Sequence, residues 1–156
     1  MNTARNSPYE YALGLLAARA YTVRNLRRKL AQKGFDAAEC DAAIERLRGN
    51  GYLDDAKYAV EFARQRLVVG GSSVRRVEQE LARRGVGRDV AKAAAAAVVD
   101  DEGVDTAGAI ERLAKKKLAS MGDLEVFVKR RRVFGFLARK GYEVDEINRV
   151  LSRIFP

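Results

Sequence analysis

Apolar positions recur along this chain at helical spacing. Val23, Leu26 and Leu30 lie three and four apart, as do Cys40, Ala43, Ile44 and Leu47. Tyr58, Ala59, Phe62, Ala63 and Leu67 form a third stripe of the same period. No segment alternates over six residues as a half-buried strand does. The only prolines, Pro8 and Pro156, sit near the ends, so none breaks a helix in the interior. The pattern predicts an all-α fold. Thr22 and Ser73 each precede a periodic run, as N-caps do, and Asp54, Asp55 and Asp123 can cap or favour further helix starts. Gly34, Gly85 and Gly141 each follow a basic helix end, where a left-handed glycine closes a helix.

Those glycines expose an internal repeat. Leu30-Ala31-Gln32-Lys33-Gly34-Phe35 aligns with Leu81-Ala82-Arg83-Arg84-Gly85-Val86 and with Leu137-Ala138-Arg139-Lys140-Gly141-Tyr142. After the glycine, Cys40, Ile44 and Leu47 match Ala91, Ala95 and Val98, then Ile147, Leu151 and Ile154. Each unit reads as three helices: about 8–20, 23–33 and 37–49; 55–69, 73–84 and 88–100; 105–120, 123–140 and 144–154. Residues 1–52, 53–102 and 103–156 are thus three tandem three-helix repeats. Helices this short bury their apolar faces only in company, and serial stacking of small bundles gives an elongated molecule.

Composition narrows the function. The chain has 156 residues, 30 basic and 21 acidic, a net charge of +9 and no histidine. A basic surface favours anionic partners, above all nucleic acid or proteins bound to it. Without histidine there is no Ser-His-Asp or Cys-His set and no common zinc ligand. The single cysteine, Cys40, makes no internal disulfide and reads as a small buried hydrophobe. No phosphate-binding glycine loop, apolar run of membrane length or secretory signal is visible. A monomeric cytoplasmic protein is expected, non-enzymatic, without cofactor or metal; Asp100, Asp101 and Glu102 read as a joint or helix end.

Charge clusters supply the candidate binding residues. In unit one Arg24, Arg27 and Arg28 can share a helix face; in unit two Arg75, Arg76, Arg83 and Arg84 occupy comparable places. Unit three is the most basic: residues 105–156 hold twelve basic and seven acidic side chains, with Lys115, Lys116 and Lys117 in one cluster and Lys129, Arg130, Arg131 and Arg132 in another. Four consecutive residues span a full helical turn and cannot share one face. Each cluster is either an anion-binding face or a solvated one. Tyr52 and Leu53 are expected to pack between units one and two, and Phe127, Phe134 and Phe136 to be core.

Together with the repeated L-[AR]-x-[KR]-G-[FVY] ends, the junction Gly51-Tyr52-Leu53-Asp54-Asp55-Ala56-Lys57-Tyr58-Ala59 and the run Leu26-Arg27-Arg28-Lys29-Leu30 resemble the RecX family of bacterial recombination regulators, over about residues 9–155. The resemblance implies three tandem three-helix repeats. It implies binding to the RecA recombinase and its filament on single-stranded DNA, with suppression of RecA's ATPase and strand-exchange activities, in the setting of DNA repair and the SOS response. Direct DNA binding can coexist with that role. The rival reading is a helix-turn-helix-like transcriptional regulator, its basic second helices entering a DNA groove.

Overall fold

The structure, a computed structural model, describes residues 6–156. Among them are nine α-helices and no strand: α1 (Pro8–Ala18), α2 (Val23–Lys33), α3 (Ala37–Gly49), α4 (Asp55–Arg64), α5 (Val74–Arg83), α6 (Arg88–Asp101), α7 (Thr106–Ala119), α8 (Val126–Arg139) and α9 (Val144–Ile154). The helix starts follow local chemistry. Thr22 accepts from the N–H of Asn25 at 3.2 Å, and Ser73 from that of Arg76 at 3.1 Å. Asp54 accepts from the N–H groups of both Ala56 and Lys57.

Two local expectations shift. Residues 55–69 do not form one uniform helix, because Gln65–Val69 open into a π-helical turn closed by the Gly70 N–H on the Gln65 carbonyl at 2.9 Å. A Cβ at Gly70 would stand 2.9 Å from the Arg66 carbonyl oxygen, so this closure needs glycine. Helix α8 begins at Val126, and Asp123 stays in the preceding loop without capping it. Asp55 favours helix starts as expected: it stands in the first turn of α4, and its carboxylate accepts the N–H of Val23, the first residue of α2, at 2.9 Å.

The repeated glycines end α2, α5 and α8 with φ of 99°, 87° and 92°. The next residue then donates its N–H back to Leu30, Leu81 or Leu137, at 3.3, 3.1 and 3.3 Å. This closure turns Phe35 and Val86 into the cores behind them.

Each unit buries its own core. Leu26, Leu30, Ile44 and Leu47 centre the first, and Leu53 joins them. Val77, Leu81 and Val98 centre the second, where Ala59 and Ala63 of α4 and Ala91, Ala94 and Ala95 of α6 let those helices approach closely. Val133, Leu137, Ile147 and Leu151 centre the third. No buried side chain is common to two of these cores. The accessible surface is 9993 Å², against about 7800 Å² for a compact monomer of this mass. The molecule is a row of three small bundles.

Polar joints link the row. The closing end of α5 docks on the start of α2: Thr22, fully buried, donates its hydroxyl to the Arg84 carbonyl at 2.6 Å. The closing end of α8 docks on the start of α5 in the same manner. Ser73 donates its N–H to the Lys140 carbonyl at 2.9 Å and its hydroxyl to the Gly141 carbonyl at 2.8 Å. Gly85 and Gly141 therefore serve twice: each closes its helix, and each leaves space for the preceding unit.

Candidate anion-binding clefts

The basic side chains singled out from the sequence separate into two populations. One is committed to carboxylates or to the joints. Arg24 donates to the carbonyl of Arg83 in the next unit, and Arg27 pairs with Asp41 at 2.9 Å. Arg75 pairs with Glu143 of unit three at 2.7 Å. Arg76 pairs with Glu80 at 2.8 Å, and Glu80 also meets Arg66 at 3.3 Å and Arg84 at 3.8 Å. Lys115 pairs with Glu111 at 2.6 Å. So Arg24, Arg27 and Arg28 do not act as one face: the first turns to unit two, the second to α3, and only Arg28 faces a cleft.

The second population gathers in two clefts. At the joint between units one and two, a cleft of about 350 Å³ is lined by Arg19, Arg28, Lys29 and Arg84, with Tyr21, Asn25, Tyr58 and Ala20 between them. Among the described residues no carboxylate lines it. The Arg84 guanidinium lies 4.4 Å over the ring of Phe62, which stacks on Tyr58 with centroids 6.1 Å apart and planes at 12°. Arg19 lies 4.7 Å over the Tyr21 ring and its Nε donates to the Tyr21 hydroxyl at 2.8 Å. This cleft opens beside a second hollow of about 570 Å³ that shares Ala20, Tyr21 and Tyr58 and adds Leu16, Tyr52 and Phe62 together with the charged Asp54, Lys57 and Glu61.

In unit three a cleft of about 420 Å³ lies between the end of α7 and α8, lined by Lys117, Arg131, Arg132 and Arg139. Again, among the described residues, no carboxylate lines it. A Cβ at Gly135 would stand 3.3 Å from a terminal nitrogen of Arg139, so glycine there leaves the guanidinium its room. Lys129 and Arg130 are half-buried outside this cleft, while Arg83 and Lys116 are exposed and line neither cleft. Lys116 and Lys117 also stand in the last turn of α7, where cations complement the helix dipole.

Sequence reasoning singled out Arg28, Arg84, Lys117, Arg131 and Arg132 of the cations in the two clefts but left out Arg19, Lys29 and Arg139. Arg19 follows α1 alone, with no basic neighbour in the chain to mark it. Lys29 and Arg139 lie in basic runs, but only packing decides which member of a run faces a cleft. Two aromatic expectations are corrected. Tyr52 is 59% exposed and forms a wall of the hollow at the joint, while Leu53 alone goes inward. The left-handed Gly51, at φ 76°, turns the chain just before them. Phe127 is 73% exposed. It stands six residues before the buried Val133, about 120° around α8 from the core-facing line. Phe134 and Phe136 are half-buried against the third core, as expected.

Cys40 is buried, and burial, reinforced by Asp41, Asp36 and Glu39, pushes its thiol up from the usual value. Glu102 ends α6 in an ion pair with Arg64 at 2.8 Å. Among the described residues no three His, Cys, Asp or Glu side chains are grouped to hold a metal ion. Among them, too, no helix is long and apolar enough to cross a membrane. The N-terminal turns of α2 and α5, which a groove-reading helix presents to DNA, are covered by the following unit at Thr22 and Ser73.

Three family models match the chain in order: the first, second and third three-helix domains of RecX, over residues 9–47, 54–94 and 105–151. A regulatory protein RecX from Trichlorobacter lovleyi is 35% identical, over 97% of this chain and 99% of its own length. One from Amycolatopsis mediterranei is 38% identical, over 85% of this chain and 74% of its own. The crystal structure of RecX from Lactobacillus salivarius superposes with a TM-score of 0.72 at 18% identity, covering 94% of both chains. A second crystal structure of a regulatory protein RecX gives 0.74 at 19% identity, over 93% of this chain and 71% of the other. With its three units in the same order and its length matched almost end to end, this chain belongs to the RecX family of regulatory proteins.

Proposed function

We propose that this chain binds the RecA recombinase and its filament on single-stranded DNA, and inhibits RecA's ATPase and recombinase activities. The observation that carries this beyond family membership is the distribution of charge. Two clefts without a lining carboxylate hold clustered cations at separate places along a row of three bundles. An elongated row of this kind suits a helical filament, whose repeating surface offers the same contact to successive units. Several weak contacts on neighbouring protomers add through effective concentration, without any single strong site. Bridging protomers holds them in one relative arrangement, which opposes the subunit movement that ATP turnover needs and covers the path of a second DNA strand.

The basic clefts and the polar joints cooperate in this. Units with separate cores, linked by hydrogen bonds, keep their own shape while the joints set the curvature of the row. The test is cosedimentation with RecA filaments assembled on single-stranded DNA with a non-hydrolysable ATP analogue. The chain is expected in the pellet at a saturable ratio to RecA. A chain that stays in the supernatant while pelleting with bare DNA contradicts the proposal.

A further inference from the structure

We infer that the cleft at the joint between units one and two is a binding site for single-stranded nucleic acid, taking a backbone phosphate on Arg19, Arg28, Lys29 and Arg84 and a base against Tyr21 and Tyr58. The inference concerns this chain alone and does not rest on the RecA reading.

Three observations converge on it. First, three of the four cations there carry no ion pair. Arg19, Arg28 and Lys29 make no ion pair among the described residues, whereas Arg27, Arg64, Arg75, Arg76, Arg112 and Lys115 each have a carboxylate within 3 Å. Arg84 is the anchored member: its guanidinium donates to the Glu80 carbonyl at 3.1 Å, stands 3.8 Å from the Glu80 carboxylate and still lines the cleft. Four cations around about 350 Å³ without a lining carboxylate form a strongly positive concavity, and low-dielectric walls focus such a field on an incoming anion.

Second, the cleft runs into an aromatic wall. Tyr21 and Tyr58 line both it and the neighbouring hollow. Tyr58 stacks on Phe62, over whose ring the guanidinium of Arg84 lies at 4.4 Å. A positive groove beside aromatic faces is the arrangement that binds single strands, because every base offers a face to stack and every nucleotide a phosphate. A duplex has its bases already stacked and cannot use the tyrosines. The unit-three cleft has the charge but no aromatic lining, so it suits a phosphate without its base.

Third, neither unit holds the site alone. Arg19, Tyr21, Asn25, Arg28 and Lys29 come from unit one, and Tyr58 and Arg84 from unit two. The Thr22 hydroxyl on the Arg84 carbonyl closes the two halves together. A strand bound there clamps the joint, so the ligand and the shape of the row are linked.

The test is fluorescence anisotropy of labelled 12-mers of deoxythymidine and of uridine, which separate the DNA and RNA sources of the shared chemistry, against the full-length chain without RecA. The double variant Arg28→Glu/Lys29→Glu is compared with Lys92→Glu/Arg149→Glu, which changes net charge equally at two exposed positions away from the cleft. Thermal unfolding of each variant confirms its fold. The cleft variant is expected to bind at least about tenfold more weakly, and its slope of log affinity against log salt to be shallower by about 0.7 for each phosphate no longer neutralised. The distal variant is expected to stay within about twofold of the wild type, since screening limits its reach. A 12-mer of abasic sites is expected to bind more weakly than deoxythymidine in the wild type, and Tyr58→Ala to erase that difference. Equal weakening in both double variants would reduce the cleft to a share of the general positive field and overturn the proposal, as would wild-type binding of both 12-mers by Arg28→Glu/Lys29→Glu.

Discussion

The side chain of Arg24 lies across Gly85, where a Cβ would come within 2.6 Å of the arginine's own Cβ. Far apart in sequence, they form the seat on which unit two docks on unit one. The same relation recurs between Arg76 and Gly141 at the next joint, where a Cβ would also overlap the arginine. A helix-closing glycine in each later unit is thus paired with an arginine of the unit before it. Part of the basic character of the second helices serves this seat.

Gly85→Ala meets two costs: a left-handed φ of 87°, on the order of 1–2 kcal/mol for a side chain, and the overlap with Arg24. The expected loss of stability exceeds that of Gly51→Ala, which has a similar φ and open space around it. Combining Gly85→Ala with Arg24→Gly, which removes the Cβ as well as the Cδ and Nε that overlap, should recover the steric part in a double-mutant cycle of denaturant unfolding, whereas Arg24→Ala keeps the Cβ and should recover less. Equal destabilisation at Gly85 and Gly51 would remove Arg24 from the account.

Thr22→Val keeps the shape of a fully buried side chain but strands the Arg84 carbonyl and removes the N-cap on Asn25. A cost of roughly 1–3 kcal/mol is expected, with Thr22→Ser close to wild type. Amide exchange should quicken at both the start of α2 and the end of α5, because the missing bond joined them.

Three unshared cores imply local unfolding. Ile147→Ala empties the centre of unit three and is expected to cost about 2–5 kcal/mol there. Hydrogen exchange should lose protection in α7–α9 and keep it in α1–α3, as nearest-neighbour stability requires. Uniform loss of protection across all nine helices would show one cooperative body instead.

Much of this arrangement is legible in the sequence, and its limits have physical causes. Period and proline placement locate the helices, and the glycine register exposes the three units, because both signals are local. Cys40 in the core, Thr22 and Ser73 as caps and the closing glycines follow from the same local rules. Tyr52, Phe127 and Asp123 go otherwise. Each lies close to a helix boundary, where a small shift in start or a left-handed glycine redirects the side chain. The clefts are the least visible part. A run such as 129–132 announces charge, but Arg131 and Arg132 face the cleft only because α8 presents Val133 and Leu137 to the core. Arg19 is hidden because its partners Arg28 and Arg84 come from other parts of the chain.

The second joint carries a pH dependence. Tyr142, half-buried, donates its hydroxyl to the Gly71 carbonyl at 3.3 Å, and burial, with Glu146 nearby, raises its pKa above the ordinary 10.0. A raised folded-state pKa stabilises the fold fully below the unfolded value, and that stability is lost as pH rises through the folded value. The joint between units two and three should therefore weaken above about pH 10. Ultraviolet titration should show one tyrosine ionising late, and Tyr142→Phe should abolish that step while flattening the alkaline decline in stability.

The central claim is that the chain restrains RecA on DNA, and RecA's single-stranded-DNA-dependent ATP hydrolysis tests it most directly. Filaments are assembled first, and the chain is titrated in beside a basic control protein at matched salt. The account predicts a fall in hydrolysis at or below stoichiometric chain, absent with the control. Unchanged hydrolysis, with binding of the chain to bare single-stranded DNA intact, contradicts it.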